Sequence, residues 1–236
     1  MSEAIIITPV KDSIKTTLKT IEAVYASDAD FDYYIFNDFS RPESRNQLAE
    51  AQQKFGFHLI HLEDITSNPS PNYKLVLQIA QSIAREKELP LIIIESDVVV
   101  KKDTVSRLLE IQRIETKPAL IGAITIDIYG NYNFPYNDEK IKSSETMNTS
   151  RSLSFCCTLI SRDFLKEFDF KNLSQKKDWY DVFISRQAKK QGFHNYLAKG
   201  IEVLHQPHSS RPWKNLKYTN PLLYYYKKFV HKRDRI

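Results

Sequence analysis

Apolar residues in the N-terminal part of the chain come in short unbroken runs, separated by stretches of helical spacing. Ala4-Ile5-Ile6-Ile7 leads into Thr8-Pro9, and Pro9 ends the run because it cannot donate to a β-ladder. Phe31 to Phe36, the alternating Phe57 to Leu62, and Leu91-Ile92-Ile93-Ile94 read as three further strands. The unbroken apolar run Leu91–Ile94 predicts a strand buried on both faces, as in a parallel sheet. Between the runs, Ile14, Leu18, Ile21 and Val24 follow helical spacing after Asp12 or Ser13 as cap. A polar helix from about Glu43 to Phe55 and a helix from Tyr73 to Lys87, with Leu75, Leu77, Ile79 and Ile83, complete the alternation. Strand and helix in turn predict right-handed βαβ units.

The second half is less regular. The spacing predicts a helix over Thr104–Ile114, a strand over Ala119–Ile128, a long polar and aromatic loop over Tyr129–Arg151, and a strand over Leu153–Ile160. A helix from Gln175 to Gln191 stops at Gly192, and Tyr196 to Leu204 holds one or two short strands that lead to His205. The tail from Pro212 is expected to be helical. A domain over residues 1–210 with an arm over residues 211–236 follows.

Composition narrows the function. The chain has 236 residues, of which 42% are hydrophobic and 12% aromatic, enough for a folded core. Only 5 glycines occur, and neither G-x-x-x-x-G-K-[ST] nor G-x-G-x-x-G is present, which disfavours P-loop and dinucleotide sites. No apolar run is long enough to span a bilayer and no secretory signal is seen, so a cytoplasmic protein is expected. The adjacent Cys156 and Cys157 suit neither a disulfide nor a zinc pair and read as small buried residues. The net charge is +5, but residues 211–236 hold eight Lys or Arg against one acid, a local +7 that leaves −2 elsewhere. The basicity belongs to the tail and not to a nucleic-acid-binding face. There it is interleaved with Tyr224, Tyr225, Tyr226 and Phe229, the make-up of a segment lying on an anionic membrane surface. A helix whose aromatics dock on the domain fits the same residues.

Candidate chemistry lies at the ends of the strands. Ligands of open α/β sheets bind beyond the carboxyl ends of the strands, where Thr8-Pro9, Asn37-Asp38 and Glu95-Ser96-Asp97 fall. Unpaired carboxylates are too costly to bury, so Glu95 and Asp97 call for a cation, and Mg²⁺ or Mn²⁺ with a phosphorylated substrate is the natural one. Asp38 can accept hydrogen bonds from a base or ribose, although Asn-Asp after a strand is also ordinary turn chemistry. Asp178 and Asp181, three apart, share one face of a helix start whose dipole keeps a carboxylate ionised, as a general base requires. As N-cap and first-turn acid, the same two residues need no catalytic role. His205 can bind a metal or a phosphate, or serve as a structural hydrogen-bonder.

Assembled in order, these residues resemble family 2 glycosyltransferases of the GT-A fold. Ile5-Ile6-Ile7-Thr8-Pro9-Val10 is similar to the family's opening strand and Asn37-Asp38-Phe39-Ser40 to its nucleoside-binding strand end. Asn72-Tyr73-Lys74 is similar to its Asn-containing helix start, and Glu95-Ser96-Asp97 to its D-x-D, with Glu for the first Asp. Tyr180-Asp181 through Arg186 to Gly192-Phe193 resembles the segment around the catalytic base, and Ile201 to His205 the late strand ending in His. No Q-x-x-R-W follows, so processive polysaccharide synthases do not match.

The resemblance implies an α/β fold with a mixed, mostly parallel central sheet flanked by helices, and a C-terminal helical tail. It implies a metal-dependent, inverting transfer of a sugar from a nucleotide-diphosphate-sugar, a UDP-sugar favoured, to a hydroxyl of a glycan or lipid-linked acceptor, as in surface polysaccharide synthesis. Donor-binding residues would be Thr8, Pro9, Asp38, Lys74, Glu95 and Ser96. Metal ligands would be Asp97, Glu95 and His205, and the base Asp181 or Asp178. Two other classes stay open. A sugar-nucleotide nucleotidyltransferase would want a glycine-rich, basic signature after the first strand, which Thr8-Pro9-Val10-Lys11-Asp12 lacks. A non-catalytic, membrane-associated protein of the same fold would bind a donor without turning it over.

Overall fold

The computed structural model describes residues 2–136, 145–174, 179–206 and 220–230. The chain divides into two units, Met1–Gln206 and Pro207–Ile236. In the first unit the strands are β1 (Ala4–Val10), β2 (Phe31–Asn37), β3 (His58–His61), β4 (Leu91–Ile94), β5 (Val98–Val99), β6 (Pro118–Ile126), β7 (Thr146–Asn148), β8 (Cys157–Ile160) and β9 (His194–His205). The helices are α1 (Ile14–Tyr25), α2 (Pro42–Phe55), α3 (Tyr73–Glu86), α4 (Thr104–Ile114), α5 (Arg162–Glu167) and α6 (Tyr180–Lys190). The second unit is described only through α7 (Pro221–Val230).

One mixed sheet runs β3-β2-β1-β4-β8-β6-β9-β5, with β7 on β9. The half from β3 to β4 is parallel throughout, as the alternation of runs and helices requires. The unbroken apolar runs are explained by burial on both faces. Ile6 and Ile35 point to one side, into a core shared with Ile21 and Val24 of α1, Leu48 of α2 and Leu108 of α4. Ile5, Ile7 and Phe36 point to the other, against Val76, Leu77 and Ala80 of α3, Phe164 of α5 and Ile184 of α6. Each such side chain taken from water contributes roughly 1.5–3 kcal/mol.

Beyond β4 the direction reverses. β8 lies antiparallel to both β4 and β6, whereas β6 and β9 are parallel to each other. Where one or two short strands were expected before His205, a single β9 of 12 residues is found. Its register against β6 jumps from Ala123↔Ala198 to Ile124↔Glu202, so Lys199, Gly200 and Ile201 form a bulge. Bulges bend a strand and re-aim its end, and here the far end pairs Val98 with His205.

The expected loop over Tyr129–Arg151 contains β7 and an Ile126↔Tyr132 bridge. The strand expected over Leu153–Ile160 is confined to Cys157–Ile160. α5, too short for a periodic signal, was not anticipated; its cap is Ser161, whose Oγ accepts from Phe164 N. The helix expected from Gln175 is described from Tyr180, and Gly192 takes the left-handed φ of 78° that ends it. Asp178, residues 137–144 and most of the basic tail lie outside the described residues.

Candidate active site

The site is built from the carboxyl ends of β1, β2 and β4. Asp38 follows β2, and its amide donates to Val10 O at 2.9 Å, which fixes it beside the end of β1. Its carboxylate accepts from Ser70 Oγ at 2.6 Å, Asn72 N at 2.9 Å and Asn72 Nδ2 at 2.8 Å. Asp38 thus pins the segment that opens α3. A carboxylate has about four acceptor positions, so capacity for one more donor remains. Thr8 turns its hydroxyl to Tyr33 Oη at 2.8 Å within the core, and Pro9 pairs in register with Phe36. Lys74 lies half-buried in the first turn of α3. Ser96 Oγ meets Ser13 Oγ at 3.0 Å and ties the turn after β4 to the start of α1.

Glu95 and Asp97 form that turn, closed by Val98 N donating to Glu95 O at 3.1 Å. Asp97 is only 3% exposed. Its Oδ2 lies 3.4 Å from His205 Nε2, and Gln206 N donates to Asp97 O at 2.8 Å. The far end of β9 therefore docks on the acidic turn. His205 Nδ1 donates to Phe134 O at 2.9 Å, and Asn133 Nδ2 donates to His205 O at 3.1 Å. Because a carbonyl only accepts, the Phe134 bond places the proton of a neutral ring on Nδ1 and aims the Nε2 lone pair at the carboxylates.

Cys156 and Cys157 are both free and buried in the core, as expected. Cys156 also lies beside the acidic turn, with its Sγ 3.5 Å from Glu95 Oε2 and its carbonyl accepting from Glu95 N at 2.9 Å. Nothing local marks it. It reaches Glu95 only because β8 pairs antiparallel with β4, one step beyond the Ile94↔Cys157 pair.

The electrostatics report crowding. Burial, then the charge of Asp97, push the Glu95 carboxyl up to about 7, with Asp181 adding in the same direction and His205 opposing. For His205, burial disfavours the charged ring, but the hydrogen bond and charge of Asp97, with Glu95, outweigh it and raise the pKa. Burial and Glu95 hold Cys156 well above the usual thiol range, so it stays a thiol.

Ligand atoms of Glu95, Cys156 and His205 lie within 4.8 Å of one another, with Asp97 adjoining. Two carboxylates, an imidazole nitrogen with its other N–H fixed and a thiol together are a donor set that could hold a divalent cation, and a cation would relieve the crowding of the two acids.

Asp181 lies in the first turn of α6, its Oδ1 accepting from Val182 N at 2.8 Å. Its charge acts on Glu95, Tyr73 and Tyr136, so α6 brings it to the same edge as the acidic turn. The Tyr73 and Tyr180 rings, at the starts of α3 and α6, lie 6.3 Å apart.

The sequence matches the model of glycosyl transferase family 2 over residues 5–169. The chain belongs to that family. The match takes in Asp38, Glu95, Asp97 and Cys156 and stops short of Asp181 and His205. No curated protein sequence matches the chain. Among solved structures, it is similar to the mannosyltransferase PcManGT from Pyrobaculum calidifontis, in complex with GDP-Man and Mn²⁺, at 10% identity and a TM-score of 0.66, covering 99% of this chain and 65% of that one. It is also similar to S. aureus TarS 1–349 in complex with UDP, at 13% identity and a TM-score of 0.61, covering 92% of this chain and 64% of that one. At such identities the likeness establishes the fold, which is that of these glycosyltransferases. The chain spans less than two thirds of the length of either structure.

Proposed function

We propose that this family 2 chain transfers a sugar from a nucleotide-diphosphate-sugar to an acceptor hydroxyl with inversion. The observation that carries the reading is the convergence of Glu95, Asp97 and His205 with the charge of Asp181 at one sheet edge. Glu95, Asp97 and His205 would hold Mn²⁺ or Mg²⁺, which supplies Lewis-acid neutralisation of the departing diphosphate. The PcManGT complex contains Mn²⁺ with GDP-Man, and the TarS complex contains UDP, so both kinds of donor are candidates.

The chain's own residues divide the remaining work. The last acceptor position on Asp38 receives a donor from the nucleoside, at the end of β2 where the segment opening α3 closes over it. Asp181 takes the proton of the acceptor hydroxyl as that oxygen attacks the anomeric carbon. One base suffices for a single displacement with inversion, whereas retention by double displacement would need a nucleophilic carboxylate as well. A glycan or lipid-linked acceptor fits a reaction of this class. Among the described residues no helix is long and apolar enough to cross a membrane.

A screen of UDP-, GDP- and dTDP-sugars for donor hydrolysis, with and without Mn²⁺, tests the reading. Hydrolysis of one donor that depends on the added ion is the expected result. Nucleotide binding with no turnover of any donor would leave a binding protein of this fold.

A further inference from the structure

Among the described residues, Tyr73 holds a buried polar group at this edge that the proposed mechanism does not use. Its backbone is fixed at the start of α3 by Asn72, which Asp38 grips through both main chain and side chain. Its ring packs near Tyr180, the residue before Asp181. Its hydroxyl oxygen is closed to solvent and has no hydrogen-bond partner among the described residues. Buried hydroxyls are almost always bonded, and one left unmade in a folded protein calls for an explanation.

The charges of the candidate site act on this hydroxyl. After burial itself, the groups acting on Tyr73 are Glu95, then Asp181, then Cys156, and all disfavour the phenolate. The hydroxyl therefore keeps its proton and is available as a donor. It stands in the field of two acids with distinct tasks, Glu95 on the side of the departing diphosphate and Asp181 on the side of the incoming acceptor oxygen. In an in-line displacement the group between leaving oxygen and nucleophile is the sugar ring.

We infer that the Tyr73 hydroxyl donates a hydrogen bond to an oxygen of the transferred sugar and so selects the glycosyl group rather than the nucleotide. This rests on the glycosyltransferase reading. The nucleoside is held elsewhere, by Asp38 at the end of β2, so the two halves of the donor are sensed by different residues. The substrate class that follows is a hexose, or N-acetylated hexose, with a free ring hydroxyl directed at α3.

Tyr73→Phe removes the oxygen alone. Isothermal titration of wild type and variant with UDP, GDP, UDP-glucose, UDP-N-acetylglucosamine and GDP-mannose separates the terms. Affinity for the free nucleotide diphosphate should stay within about two-fold, while that for the matching sugar nucleotide falls about ten-fold, the size of one hydrogen bond. The melting temperature should hold or rise, because an unbonded buried hydroxyl is removed. In the wild type, a donor deoxygenated at the contacted position should lose the same factor, and the two losses should not add. Equal sugar-nucleotide binding by both proteins would overturn the inference while leaving the glycosyltransferase reading intact. A lower melting temperature with both ligand classes weakened alike would make Tyr73 structural. Wild-type protein that binds none of the five ligands would overturn both.

Discussion

The two halves of the sheet reach the same edge by different means. From β3 to β4 every pairing is parallel, and each crossover returns the chain to the same edge. Asp38 and the Glu95–Asp97 turn therefore fall together as a consequence of topology alone. From β8 to β5 the sheet is mixed, and Cys156 and His205 arrive through an antiparallel pairing and through a three-residue bulge. The parallel half supplies acids, and the other half supplies the imidazole and thiol beside them and the acid on α6. A site made this way depends on the register of the second half as much as on the residues of the first.

The comparison is broken most severely by removing the residue where the halves meet. Asp97→Asn should lower ion-dependent donor turnover by about 10³-fold or more, by loss of a buried charge aimed at the reacting group. Glu95→Asp should be milder, as the family's usual residue. Equal damage from both would mean that the longer side chain of Glu95 has a geometry of its own beside Cys156. Next in size, Asp181→Asn should reduce transfer by about 10²–10³-fold with nucleotide affinity unchanged, since the carboxylate is needed when the proton moves. Titration with UDP beside steady-state kinetics separates these terms. A larger effect of Asp178→Asn would reassign the base.

Stability tests the join between halves away from the chemistry. Gln81 on α3 donates to Leu165 O at 3.0 Å and Phe168 O at 2.6 Å and accepts from Phe170 N at 2.8 Å. Gln81→Ala leaves these buried groups unbonded and should cost about 3 kcal/mol in urea denaturation. A loss below about 0.5 kcal/mol would show that the three bonds of Gln81 contribute little to holding α3 on the segment from α5 to Phe170.

A smaller, pH-dependent effect follows from Glu95 and His205. The folded pKa of Glu95, about 7, lies above its ordinary 4.5, so the folded state binds this proton more tightly than the unfolded one. Its contribution to the ion-free protein is full below 4.5 and lost as pH rises to about 7. His205, also raised, acts in the same sense, its contribution being lost as pH rises through its folded value. The melting temperature in chelator should fall across this window, and the rise on adding Mn²⁺ should grow with pH. Glu95→Gln should flatten the profile; an unchanged slope would place the titrating group elsewhere. Smallest on turnover should be truncation from Asn220, which is expected to release the protein from anionic vesicles while donor hydrolysis continues. Equal co-sedimentation of the full-length and truncated proteins across salt concentrations would show that the tail is no anchor.

What the sequence determined is the parallel half. Burial on both faces leaves an unbroken apolar run, and acids that follow such a run cannot be buried unpaired, so Asp38, Glu95 and Asp97 were legible one strand at a time. Asp181 and His205 were legible as candidates, through spacing to Gly192 and through a strand ending in His, but their common edge was not. Tyr73 was visible only as part of a helix start, and Cys156 only as a small core residue. Those placements are decided by tertiary structure, because antiparallel pairing and bulges set register through contacts far apart in the chain. A local pattern of period two reads the same whichever partner the strand meets, so only the fold settles that Cys156 faces Glu95 and His205 faces Asp97.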